Sequence, residues 1–446
     1  MNTLTKVAFI GTGAMGRPMI FKLLEKGYPV QVYDKYKEAA DTVVAAGAIW
    51  TDTPAEAARG CGVVITCLPL PHHVLENMLG ENGAIEGMQP GSTWIDTSTT
   101  DYHNTKYIAG VAAKRGIYSL EAPVSNLSHM GVDFANVSFY VSGDREGYEL
   151  SKDVLNTMGQ ISFFVNENIG KAQTVKLLTN LLFYTGTILV GEVLMVAYRN
   201  GIPLHWMWDF IRASRGCSFV AEQVSPFILD GSYDRSCTLE ITVKDTDLTV
   251  KLADELNVPM PIGRIVEERY RQAGEKYDQQ LGHVTVTKLI EEENNLRLRV
   301  VGFTAPSPYG ANPNYVHSKT LVEDRYGRIK PLPYQLHYDP PPSYDLAAEL
   351  VELAETLTEF MAYVNYVILQ EAYQLGKNMG LSRALLTDVV RWSCGTSWVF
   401  DNEGYYQPDP RIVRKIKQMD LGRNAIIPYM TKMIDALLEE PMRQVA

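Results

Sequence analysis

Short apolar runs punctuate the first third of the chain. Lys6–Ile10, Pro29–Tyr33, GVVITCLP (62–69) and STWIDTST (92–99) each read as a strand buried on both faces. Segments with helical spacing lie between them: Gly16 to about Lys26, HHVLENML (72–79) and Thr105–Arg115. GIYSLEAPV, NVSFYVSGD, a helix near Glu146–Met158 and ISFFV continue the alternation. The pattern predicts a doubly wound α/β domain ending near residue 165. Beyond it the texture changes. LLTNLLFYTGTILVGEVLMVAY (177–198) is long and apolar but carries Asn180 and Glu192, which predicts a buried core helix rather than a membrane span.

One junction has chemical content. Gly11-Thr12-Gly13-Ala14-Met15-Gly16 follows the first strand and opens the first helix, matching G-x-G-x-x-G. Gly11 permits the tight turn, Gly13 lets backbone approach a pyrophosphate, and Gly16 lets helix and strand pack closely. The uncovered N–H groups and the dipole of the helix start favour a phosphate there. Gly27 suits the helix end. The second strand ends at Asp34, 34 − 16 = 18 residues after the last glycine, where an acidic residue binds ribose hydroxyls. A carboxylate repels a 2′-phosphate, so NAD is expected over NADP, with Lys35 and Lys37 softening the preference.

Composition narrows the classes. The 446 residues, 46% apolar and 21% charged, suit two or three globular domains. The net charge of −11 comes without a basic face, so neither nucleic acid nor membrane is an expected partner. Five cysteines form no CxxC pair and eight histidines show no ligand spacing, so no metal is expected. Scattered reduced thiols and the absence of a leader-like start make the cytoplasm the expected setting.

Four segments in order resemble the β-hydroxyacid dehydrogenase family, the relatives of 3-hydroxyisobutyrate dehydrogenase: IGTGAMGRPM, then TCLPLPHH with IDTSTTD, then EAPVSN (121–126), then GKAQTVKLLTN (170–180). KDTDL (244–248) is similar to the family's KDL segment. The resemblance implies a Rossmann domain followed by an all-α domain, with NAD or NADP as cofactor. It implies Lys176 as catalytic acid/base, with Asn180 one helical turn on as orienting partner. Ser125 and Asn126 would hold a substrate carboxylate. Gly11, Gly13, Ala14, Met15, Gly16, Asp34, Leu68, Pro69, His73 and Thr99 would touch the cofactor, and Lys244 would close over it. Alone, Lys176 reads as a surface lysine on an amphipathic helix; its place after a dinucleotide domain makes it a proton relay. A lysine shielded from water can take and return a proton at an alcohol carbon and steady the developing oxyanion. Asn126 and Leu127 replace family glycines, Thr179 replaces an asparagine, and Glu121 replaces an aspartate. These departures concern the substrate pocket and put the familiar small substrates in doubt.

The chain also repeats itself. Residues 191–220 match 370–399 at a constant offset, 371 − 192 = 179. Tyr184/Tyr363, Glu192/Glu371, Gly201/Gly380, Asp209/Asp388, Arg212/Arg391, Ser214/Ser393, Gly216/Gly395, Ser218/Ser397 and Val220/Val399 all coincide. Lys176 and Asn180 instead align with Glu355 and Glu359. The second copy therefore keeps packing positions without the acid/base pair, much as 6-phosphogluconate dehydrogenase doubles its helical domain. Expected boundaries are 1–165 for the Rossmann domain, 166–301 for the all-α catalytic domain, 302–346 for a Pro/Tyr-rich linker or arm, and 347–446 for the second repeat. VEDRYGRIK within the linker reads as a small hairpin. Trp392 and Trp398 read as core.

The expected activity is hydride transfer between nicotinamide and the carbinol carbon of a 3-hydroxy carboxylic acid or related alcohol. The alternatives are an imine or enone reductase of similar architecture, or a non-catalytic dinucleotide-binding scaffold. The expected partner is a small-molecule substrate; both a monomer and a homodimer stay open.

Overall fold

The structure, a computed structural model, describes residues 4–125, 137–159, 161–233, 237–303, 321–323, 329–331, 345–391, 393–419, 421 and 425–439. Two compact units emerge: Met1–Leu177 with Val316–Leu332, and Leu178–Tyr315 with Pro333–Ala446.

The first unit is built on one sheet. Its strands are β1 (Val7–Ile10), β2 (Val30–Tyr33), β3 (Ile49–Trp50), β4 (Val63–Thr66), β5 (Thr93–Asp96), β6 (Tyr118–Glu121), β7 (Val124–Ser125), β8 (Ser138–Gly143) and β9 (Ile161–Asn166). The parallel part runs β3-β2-β1-β4-β5-β6, the strand order of a dinucleotide-binding sheet. β6 and β7 then meet successive stretches of β8 antiparallel, and β9 joins β8 in parallel. Val7 and Phe9 enter one apolar cluster while Ala8 and Ile10 enter another. Burial on both faces explains why these strands read as continuous apolar runs. Helices α1 (Gly16–Glu25), α2 (Pro71–Leu79), α3 (Tyr102–Ala113) and α4 (Arg145–Met158) connect the strands.

Helix α5 (Lys171–Arg199) passes from the first unit into the second. The sequence reading put a boundary near residue 165, but the compact first unit runs to Leu177 because the first turn of α5 is bonded to the sheet, as described below. By length and composition α5 could cross a membrane, yet 94% of its most apolar window is buried, as a core helix requires.

In the second unit, α6 (Leu204–Arg212), α7 (Leu239–Glu255) and α8 (Pro261–Lys276) follow α5. The later segment gives α9 (Ala348–Asn378), α10 (Arg383–Arg391), α11 (Arg411–Gln418) and α12 (Pro428–Glu439). Helix α10 stands exactly one repeat offset after α6, and α9 one after α5 to within two residues. Ser218 and Ser397 cap matching helix starts, accepting from Ala221 N–H and Phe400 N–H. Between α8 and α9, strands Leu321–Glu323 and Ile329–Pro331 pair antiparallel, the hairpin expected in the linker. The remainder of 304–344, and Trp392, lie outside the described residues, whereas Trp398 is half-buried against Tyr406.

The two copies exchange bonds reciprocally. Ser218 bridges Ser397, its own counterpart. Phe219 N–H donates to Thr396 C=O (3.0 Å), and Trp398 N–H donates to Cys217 C=O (2.8 Å). A contact in which each residue meets its own equivalent marks a two-fold relation. The glutamates obey it too. Glu192 on α5 accepts from Tyr429 N–H (3.2 Å) and Met430 N–H at the start of α12. Glu371 on α9 accepts from Ile262 N–H (2.9 Å) and Gly263 N–H (3.0 Å) at the start of α8. Each copy's long helix supplies the carboxyl that caps a later helix of the other, satisfying N–H groups left over at a helix start.

Candidate active site

The glycine turn has the geometry a dinucleotide needs. Gly11 has φ +103°, and its N–H donates to Tyr33 C=O (2.9 Å). A Cβ on Gly11 would lie 2.3 Å from Cys67 O, and one on Gly16 would lie 2.0 Å from Gly11 O. A Cβ on Gly13 would meet nothing within 4 Å: here the backbone faces open space. No side chain caps α1, whose N-cap is Met15, and its first turn holds no acid. Asp34 closes the turn. Its Oδ2 accepts from Thr12 N–H (2.7 Å) and Thr12 Oγ1 (3.1 Å), and its Oδ1 from Tyr36 N–H (3.0 Å). Bare backbone, an uncapped helix start and a carboxylate at the end of β2 together fit a nicotinamide dinucleotide.

The neighbouring strand ends are cross-linked. Asp96 Oδ1 accepts from Thr66 Oγ1 (2.9 Å) and Ser98 N–H (3.1 Å), and Ser98 Oγ accepts from Leu68 N–H (2.9 Å). The register places Tyr33, Ile10, Thr66, Asp96 and Glu121 side by side at the carboxyl ends of their strands. Leu68, Pro69 and Thr99 follow immediately, on the edge where open α/β sheets bind ligands.

This same edge holds the start of α5. The wholly buried Glu121 accepts at Oε1 from Gly170 N–H (2.8 Å), Ala172 N–H (2.7 Å) and Gln173 N–H (3.4 Å). Burial pushes its carboxyl up to about 7, against the pull of those donors. Ser142 Oγ also accepts from Ala172 N–H (2.7 Å). The Gln173 side chain donates to Ser98 C=O (2.8 Å) and accepts from Thr100 N–H (3.2 Å). Lys176, 9% exposed, lies one turn further on.

In the second unit, Asn180 Nδ2 donates to Asp245 Oδ2 (2.7 Å). Tyr184 Oη donates to the same oxygen (3.3 Å), and Lys244 Nζ lies 3.1 Å from Asp245 Oδ1. Burial raises the Tyr184 hydroxyl well above its ordinary value, keeping it a donor. A carboxylate can only accept, so Asp245 fixes which end of the Asn180 amide faces it.

Residues 6–170 match the family profile described as the NAD binding domain of 6-phosphogluconate dehydrogenase, and residues 170–290 match that described as NAD-binding of NADP-dependent 3-hydroxyisobutyrate dehydrogenase. Together these successive profiles span most of the chain. It belongs to the β-hydroxyacid dehydrogenase family.

Other likenesses agree with this family. The oxidoreductase YkwC of Bacillus subtilis is 27% identical over 283 residues, 64% of this chain and 98% of its own length. The cytokine-like nuclear factor N-PAC of Gallus gallus is 30% identical over 268 residues, 60% of this chain. The chain spans about half the length of that relative (48%). A crystal structure of 3-hydroxyisobutyrate dehydrogenase from Salmonella typhimurium shares the fold at TM-score 0.59 and 23% identity, covering 64% of this chain and 99% of its own. As in other β-hydroxyacid dehydrogenase family members, the cofactor is NAD(P).

Several expected site residues gather within the first unit: Gly11, Gly13, Ala14, Met15, Gly16 and Asp34 at one turn, and Leu68, Pro69 and Thr99 beside it. His73 is half-buried on α2. Ser125 is buried on β7, paired with Ser138, and Asn126 lies outside the described residues. Asn180 and Lys244 instead meet around Asp245 in the second unit. The sequence reading missed Gln173, Tyr184 and Asp245 as site residues, and took Glu121 only as a departure. A signal for two of them was present. Gln173, Lys176, Asn180 and Tyr184 follow at spacings of three, four and four, a polar stripe down an apolar helix.

Proposed function

We propose that this chain is an NAD(P)-dependent dehydrogenase acting on the carbinol carbon of a 3-hydroxy carboxylic acid, with Lys176 as general acid/base. The observation that carries the reading is the placement of Lys176: shielded, on a helix whose first turn is bonded to the dinucleotide edge of the sheet through Glu121 and Gln173. Bound nicotinamide supplies the hydride acceptor in oxidation and the donor in reduction. Gly13 and the start of α1 hold its pyrophosphate, Asp34 its ribose hydroxyls, and Leu68 and Thr99 the flank nearer the reacting end. Asp34 favours NAD over NADP.

The side chains carry the proton. In oxidation the substrate hydroxyl gives its proton to Lys176 Nζ as the carbon gives up hydride; in reduction Nζ returns it to the forming alkoxide. Asp245 holds the amide nitrogen of Asn180. The amide oxygen is then the end left to accept from a hydroxyl. Ser125 binds the carboxylate.

The test is NADH and NADPH formation across 3-hydroxy acids of increasing bulk, with Lys176→Ala alongside. Turnover that falls at least about 100-fold in the variant, while dinucleotide affinity is kept, supports the reading. Undiminished turnover in the variant overturns the proton relay. Dinucleotide binding without turnover of any acid overturns the substrate class and favours the scaffold alternative.

A further inference from the structure

We propose that Gln173 is a positioning residue that couples the dinucleotide-contacting turn Ser98–Thr100 to the helix bearing Lys176. The proposal rests on the cofactor placement proposed above, and on the dehydrogenase reading only for its catalytic consequence.

Gln173 is 1% exposed, and both ends of its amide are used. The nitrogen donates to Ser98 C=O and the oxygen accepts from Thr100 N–H. These two backbone groups flank Thr99, so the amide brackets that residue from both sides. Ser98 in turn takes the Leu68 N–H on its hydroxyl. The Leu68 and Thr99 segments are thereby one hydrogen-bonded piece, and Gln173 attaches it to α5. Glu121 and Ser142 bind N–H groups at the start of that helix, which fixes its position along its axis. A side-chain contact from the helix flank to the β5 turn fixes its rotation as well. Lys176 lies three residues on, on the same face. A dinucleotide that settles the Ser98–Thr100 turn therefore also settles the direction in which Lys176 points.

The geometry demands an amide. A methionine of similar length would leave a buried C=O and N–H unpaired. A glutamate reproduces both bonds only while protonated; once ionised it keeps the Thr100 N–H bond but sets its other oxygen against Ser98 C=O.

The experiment uses the full chain, wild type, Gln173→Met and Gln173→Glu. NADH affinity is measured by fluorescence titration between pH 5.5 and 8, and amide hydrogen exchange with and without NADH. In wild type, NADH should slow exchange both at Ser98–Thr100 and at Lys171–Lys176. In Gln173→Met the second effect should vanish, with affinity about tenfold weaker. Gln173→Glu should match wild type at pH 5.5 and lose about tenfold by pH 8, beyond any wild-type change. A lower melting temperature with NADH affinity, its pH profile and the spread of protection all unchanged would overturn the proposal and leave Gln173 a purely structural residue. If Gln173→Met fails to fold, the pH profile of Gln173→Glu still decides. None of these readouts needs turnover, so an inactive wild type would sink the dehydrogenase reading while leaving the coupling standing.

Discussion

The two helical copies were built from one pattern and have been used differently. Both keep a long helix, a short helix at the same offset, and a serine cap at Ser218 or Ser397. Both keep the turn in which Ser214 or Ser393 accepts the N–H of Gly216 or Gly395. Among the positions where the long helices differ are two that change charge and burial together. Lys176 and Asn180 are buried, whereas their counterparts Glu355 and Glu359 are exposed and half-exposed; Glu359 faces Arg215 at 3.4 Å. Positions at the contact between the copies keep their residues on both sides, whereas Lys176 and Asn180 stand only in the copy that follows the dinucleotide domain.

The largest effect should separate the copies at these positions. Lys176→Met should lower kcat by about 10²–10⁴-fold while Glu355→Met leaves it unchanged, in matched steady-state assays; an equal loss from Glu355→Met would break the contrast. The exchanged caps come next. Glu192→Ala and Glu371→Ala each remove the carboxyl acceptor from two N–H groups, and each should cost about 3 kcal/mol in urea unfolding. A cost on one side only would deny the two-fold relation.

A pH effect sharpens the same pair. Burial, opposed by Arg269, pushes the Glu192 carboxyl up to about 7. The folded state then holds a proton that the unfolded chain releases near 4.5. The contribution of this carboxyl to stability is therefore fullest below pH 4.5 and declines as pH rises toward 7, by about 1 kcal/mol per unit at the steepest. Melting temperatures from pH 5 to 7.5 should show the decline, and Glu192→Gln should flatten part of it, leaving the share due to Glu121. Smallest is the glycine pair. A Cβ on Gly216 would lie 3.2 Å from Met361 Cβ, and one on Gly395 would lie 3.0 Å from Leu182 Cβ, themselves counterparts. Gly216→Ala and Gly395→Ala should each cost about 1 kcal/mol, alike within error.

What was legible in the sequence was local or periodic. Strand, glycine turn, helix and Asp34 lie within one βαβ stretch, so spacing alone specified the dinucleotide turn. The repeat showed as a constant offset, and the buried reading of 177–198 needed only its two polar residues. The rest depends on contacts between distant residues. Gln173 and Ser98 are 75 residues apart, Asn180 and Asp245 are 65 apart, and Glu192 reaches Met430 across 238. No local pattern announces such partners. Glu121 shows the cost: by sequence it was a departure in a substrate loop, whereas its side chain turns to the start of α5.

The bridge between Ser218 and Ser397 has a further meaning for how this chain can change. Where two identical subunits meet on a two-fold axis, every substitution arrives twice, so a poor fit is doubled and an asymmetric improvement is out of reach. Here the partners are separately encoded. A bulkier residue on one side can be answered by a smaller one opposite, and either half can take on new duties without imposing them on its twin.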